Sequence, residues 1–136
     1  MKEELIEIIL MEILAIRELL GMLEKQHDCL INSDAITLES CVTDIEACNR
    51  KVAEMEVRRR QLTKGRPMSE IVYDIGDEDL EAHYREIRKL LEEVKLQKDT
   101  NELLIRQGLS FTNRVLNIIN PSRTSKTYNS YGKVSR

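Results

Sequence analysis

The chain has 136 residues, a net charge of −3, 33% charged and 4% aromatic side chains, five glycines and two prolines. This is one domain's length, with the composition of helical bundles and coiled coils. Trp is absent and Phe111 is the single Phe, so the core is aliphatic; an acidic body also excludes a general nucleic-acid binder, which would present a basic face.

A first helix is expected over residues 2–31. Its apolar seam runs Ile6, Ile9, Ile13, Ile16, Leu20, Leu23, His27, Leu30, in steps of three and four. Such steps keep one side of a helix against its neighbours with a left-handed lean. Beside the seam lie Leu5, Ile8, Leu10, Met11, Leu14, Ala15, Leu19 and Met22, more apolar surface than one neighbour needs. Two readings stay open: a helix wedged between both others, or a binding or dimerisation face that makes a homo-oligomer. Glu7, Glu12, Arg17 and Glu18 interrupt the run, so it is no membrane span, and Lys2-Glu3-Glu4 is not the basic start of a signal peptide. The expectation is a soluble cytoplasmic protein without stable membrane insertion.

Asn32-Ser33-Asp34 breaks the first helix, and Ser33 or Asp34 can cap the second. That helix should continue to about Lys64 on the seam Leu38, Cys41, Ile45, Cys48, Val52, Met55, Arg59, Leu62. Gly65 offers a left-handed stop, and Arg58, Arg59, Arg60 and Lys64 suit the negative end of the dipole, with Glu54 and Glu56 as ion-pair partners. Cys29, Cys41 and Cys48 read as buried thiols in a reducing compartment. With His27 and His83 they show no CxxC or HxxxH spacing, so no metal or cofactor is expected.

Residues 65–77 form the longest connection, with a short helical turn from Pro67 to Tyr73 and a break and cap at Gly76 and Asp77. A third, long helix is expected over 78–119, ended by Pro121. Its seam is Leu80, His83, Ile87, Leu90, Val94, Gln97, Asn101, Leu104, Gly108, Phe111, Val115, Ile118. Short connections make the second helix antiparallel to the first and bring the third back parallel to it. The third would be roughly 63 Å long at 1.5 Å per residue, and its end should overhang the bundle. At a common starting level His27 falls near Asn101, where a buried hydrogen bond would fix register.

The far end of this helix carries Leu103, Leu104, Ile105, Leu109, Phe111, Val115, Leu116, Ile118 and Ile119. These residues can be domain core, or they can line a groove for a guest amphipathic helix. Gly108 weakens the helix there by roughly 1 kcal/mol against Ala and permits close backbone approach. Residues 121–136 hold Arg123, Lys126, Lys133 and Arg136 and no acid, a local +4 that leaves −7 for the remainder. Such a composition cannot order itself by burial.

The fold class expected is all-α: an elongated three-helix up-down-up bundle, or an antiparallel coiled-coil-like hairpin with a long third helix. Residues 1–120 would be the bundle and 121–136 a flexible basic tail. No nucleophile–base set or Gly-rich phosphate loop is present in the sequence, so an enzyme is not expected.

This layout resembles the FlgN family of flagellar type III export chaperones. The residues that carry the likeness are Glu56-Val57-Arg58-Arg59-Arg60-Gln61-Leu62 at the end of the second helix, Asn101-Glu102-Leu103-Leu104 within the long one, and Tyr128-Asn129-Ser130-Tyr131-Gly132 in the tail. The resemblance implies a cytoplasmic chaperone without ATPase activity for the two hook–filament junction proteins. It would hold their C-terminal helices, prevent premature assembly and deliver them to the export gate and ATPase complex. Carried over by position, the guest site is Leu104, Ile105, Leu109, Phe111, Val115, Ile118 and Ile119, and Tyr128 docks on the gate. Tyr131 lies in the same element and shares that assignment. A self-associating structural bundle, and an adaptor that binds anionic partners through its tail, remain as rival readings.

Overall fold

The computed structural model describes residues 2–120. Among these residues the chain is helical throughout: α1 Lys2–Ile31, α2 Ala35–Thr63, α3 Met68–Ile75 and α4 Glu78–Ile119. It divides into two units, Met1–Asn101 and Glu102–Arg136, with the boundary inside α4.

Each helix end follows from local chemistry. Glu3 and Glu4 sit in the first turn of α1, where the free N–H groups favour negative charge. Ser33 takes a left-handed conformation, φ 55°, and turns the chain out of α1. Asp34 then caps α2, its Oδ1 accepting a bond from the Thr37 amide at 3.2 Å. That contact holds its carboxyl below the usual carboxylate range. At the other end of α2 the left-handed residue is Lys64, φ 54°, followed by Gly65 at φ 77°. The expected stop at Gly65 therefore begins one residue earlier, and both amides close on Arg60 O.

The connection expected to hold one turn contains α3, eight residues that start after Pro67 and end on left-handed Gly76. Asp77 caps α4 by accepting the Leu80 amide at 3.0 Å and pairs with Lys2 Nζ at 3.1 Å. The Leu80 amide and then Lys2 hold the Asp77 carboxyl low.

In the first unit the core joins Leu5, Ile9, Ile13 and Ile16 of α1, Ile71 and Val72 of α3, and Leu80, Ile87 and Leu90 of α4. A second cluster gathers Leu19, Leu23 and Cys48, with Ile45, Val52 and Val94 packed around it. Each fully buried Leu or Ile contributes about 1.5–3 kcal/mol by leaving water. α3 thus supplies core side chains, because its Ile71 and Val72 face inward while Tyr73 is exposed. The excess apolar surface of α1 divides. Leu5, Ala15 and Leu19 are buried against the other helices, whereas Leu10, Met11 and Leu14 remain exposed.

Polar contacts order the pairing. Glu12 of α1 meets Arg59 of α2, and Glu18 meets Lys51, so the order reverses between the two helices. Arg17 pairs with Glu86, and Asn101 Nδ2 donates to Leu23 O at 2.8 Å and to Gln26 Oε1 at 2.9 Å. Gln97 donates to Asn101 Oδ1, which leaves this 2% exposed amide fully partnered. The expected His27–Asn101 bond is not made: Gln26, one residue earlier, takes that place. His27 sits half-buried, 3.9 Å from the Asp28 carboxylate.

Candidate partner-binding surface on the last helix

The second unit is described through residue 120, and from Glu102 onward none of its side chains is buried. Leu109 is 61% exposed, Phe111 63%, Ile118 79% and Ile119 73%. Ile105 is 37% exposed, while Leu104, Val115 and Leu116 are half-buried.

Helical geometry decides how these residues combine. At about 100° per residue, Leu104, Phe111, Val115 and Ile118 fall on one line, and Ile105, Leu109 and Leu116 on a second beside it. Gly108, Thr112 and Ile119 lie between the lines and join them into a single apolar arc. Glu102, Arg106, Ser110, Asn113, Arg114 and Asn117 occupy the opposite side. The segment is therefore strongly amphipathic, and its apolar half faces water. All seven residues expected for the guest site lie on this arc. Leu103, 50% exposed, falls on the polar side.

Two details keep the arc apolar and continuous. Thr112 stands inside it, but its hydroxyl donates to Gly108 O at 2.9 Å and so hides its polar hydrogen against the helix. A Cβ added at Gly108 would meet nothing within 4 Å, so no packing in this structure requires glycine there. The Asn120 amide closes the last turn on Leu116 O at 2.8 Å, ahead of Pro121. The arrangement can bury an apolar partner face. Tyr128 and Tyr131 lie outside the described residues.

The arginine segment behaves only partly as expected. Arg60 pairs locally with Glu56 at 2.6 Å. Arg59 instead reaches α1, donating from Nε to Glu12 Oε1 at 2.6 Å. Glu12, a charge that interrupts the apolar run of the first helix, is only 4% exposed. The signal that could have found it was a cation, Arg59, standing on the second seam. Burial pushes the Glu12 carboxyl up, and the attraction of Arg59 only partly opposes that.

Cys29, Cys41 and Cys48 are buried free thiols. Burial first, then the neighbouring Cys41, pushes the Cys29 thiol up; burial, Glu18 and Asp44 do the same for Cys48. Among the described residues no group of three His, Cys, Asp or Glu side chains is placed to hold a metal, and no helix is long and apolar enough to cross a membrane.

No curated protein and no solved structure matches the chain. A family model described as FlgN protein matches residues 1–136, the whole chain. The chain therefore belongs to the FlgN family of flagellar export chaperones.

Proposed function

We propose that this protein is a cytoplasmic chaperone that holds the C-terminal amphipathic helices of hook–filament junction proteins against the apolar arc of α4. Leu104, Ile105, Leu109, Phe111, Val115, Ile118 and Ile119 form the contact. Covering those segments prevents their premature assembly. The reading assigns residues 1–120 to an up-down-up bundle of the long helices, with α3 as an added turn, and 121–136 to delivery. Tyr128 or Tyr131 then docks on the export gate and its ATPase complex.

The single observation that carries this reading is the water-facing apolar half of an otherwise polar helix over residues 102–119. A guest helix needs such a surface and no catalysis. Phe111 is 63% exposed. Covering roughly 120 Å² of aromatic surface is worth about 3 kcal/mol, or on the order of a hundredfold in affinity.

The test is titration of a labelled junction-protein C-terminal peptide into the parent, Phe111→Asp and Val115→Asp, with far-UV circular dichroism as the folding control. The substitutions should abolish capture and leave helicity intact. Unchanged affinity removes the arc from the mechanism. A self-association reading draws support from exposed Leu10, Met11 and Leu14 on α1. Sedimentation over a concentration series separates the two, because a monomer that captures the peptide supports the chaperone.

A further inference from the structure

A cleft of about 700 Å³ lies wholly within the first unit, between α1, α2, the 65–67 loop and the early turns of α4. Its accessible apolar lining is half-buried Val52, Met68 and Tyr84 with exposed Leu91, while Ile9, Ile16 and Ile87 behind them are buried. Its rim is cationic, with Arg59 and Arg60 from α2, Arg66 from the loop and Arg88 from α4. Glu12 and Glu56 share the lining and Asp74 pairs with Arg66 from beside it, so one positive charge is left in excess in a chain of net charge −3.

The guanidinium groups still have donors to offer. Arg59 spends Nε on Glu12, and among the described residues its terminal amines have no hydrogen-bond partner. Arg60 and Arg66 each use one amine on an exposed acid, Glu56 and Asp74, and exposed pairs of this kind exchange readily for a better acceptor. Arg88 has no acidic partner among the described residues. It lies over the Tyr84 ring, 5.8 Å from the centroid, which orients it on the rim. Leu91, 47% exposed, continues the apolar surface beside it.

We propose that this cleft docks an acidic amphipathic helix of a partner protein, with apolar side chains against Val52, Met68, Tyr84 and Leu91 and carboxylates on Arg88, Arg60 and Arg66. Charge complementarity selects the occupant, since planar guanidinium forks bind carboxylates bidentately. The cations are spread over three chain segments, which suits carboxylates repeated along a helix better than one compact anion. This site is independent of the arc on α4: it selects acidic character, whereas the arc offers only apolar contact.

The test uses the full chain and fluorescence anisotropy. The probe is a labelled helical peptide of about 18 residues with Leu at i, i+3, i+4 and i+7 and Glu on either side of that stripe. A twin with Lys in place of every Glu is the control. In the Phe111→Asp chain, where the α4 arc is disabled, the acidic peptide should bind and the Lys twin should not. Arg88→Glu should weaken binding about tenfold or more, with a parallel loss of salt sensitivity. Leu91→Asp should weaken it comparably, and Phe111→Asp should leave it within about twofold. Arg88 and Leu91 are exposed, so both variants should keep the parent's circular dichroism. Equal binding of the twins, or parent-like affinity in Arg88→Glu, overturns the proposal. Loss confined to Phe111→Asp places the peptide on the α4 arc; it overturns the cleft while leaving the chaperone reading standing.

Discussion

Removing Arg59 should reveal how much the fold depends on a charge it has buried. Glu12 keeps 5% of its side-chain surface and Arg59 16%, and their 2.6 Å contact is the least exposed ion pair among the described residues. Arg59→Met strips the carboxylate of its partner in an aliphatic surrounding, and breaking a buried pair from one side costs about 3–5 kcal/mol. Against a total of about 5–15 kcal/mol for a domain this is a large share, and the midpoint should fall by roughly 10–20 °C. The pH dependence carries the cause. Burial already raises Glu12 above the ordinary carboxylate value, so the folded state takes up its proton more readily than the unfolded chain. Stability from this group therefore falls as pH rises through that window and recovers as pH drops. Without Arg59 the raise is larger, and the deficit of Arg59→Met should shrink between about pH 7 and pH 5. Glu12→Met combined with Arg59→Met should return to within about 1 kcal/mol of the parent, since an apolar pair replaces the ions at no desolvation cost. Urea unfolding monitored by circular dichroism at the two pH values measures all of this. A single-variant loss below about 1 kcal/mol, or a deficit that does not shrink in acid, refutes the reasoning.

Three further outcomes are expected. Asn101→Ala removes an amide that joins Leu23 O, Gln26 and Gln97, and should cost about 2–3 kcal/mol by urea unfolding, whereas His27→Ala should cost well under 1 kcal/mol. Gly108→Ala should stabilise the helix by up to about 1 kcal/mol, because its Cβ meets nothing; if a guest backbone approaches there, the same variant loses peptide affinity in a binding titration. Asp34→Ala should lower the thermal midpoint at neutral pH. Its carboxyl titrates below the usual range, so the stabilisation is present above the ordinary carboxylate pKa and lost as pH falls through the lowered one. The difference from the parent should therefore close in acid, and a gap that persists there would count against the cap.

The long helices were legible in the sequence because their signals are local. Asp34 and Asp77 each accept an amide three residues on, Pro121 denies its helix a donor, and the steps of three and four persist over many turns. The arc from Leu104 to Ile119 was legible for the same reason, since amphipathicity is a property of one helix. The tertiary structure alone decided what each helix faces. It buried Leu5 and left Leu14 in water, although both are leucines beside the same seam. It turned the 65–77 connection into core through Ile71 and Val72, brought Arg59 to Glu12, and put Gln26 where His27 was expected. Each of these depends on the rotation of one helix against another, a matter of a fraction of a turn. Spacing along the chain constrains which residues share a face, whereas packing across the chain selects the neighbour that face meets.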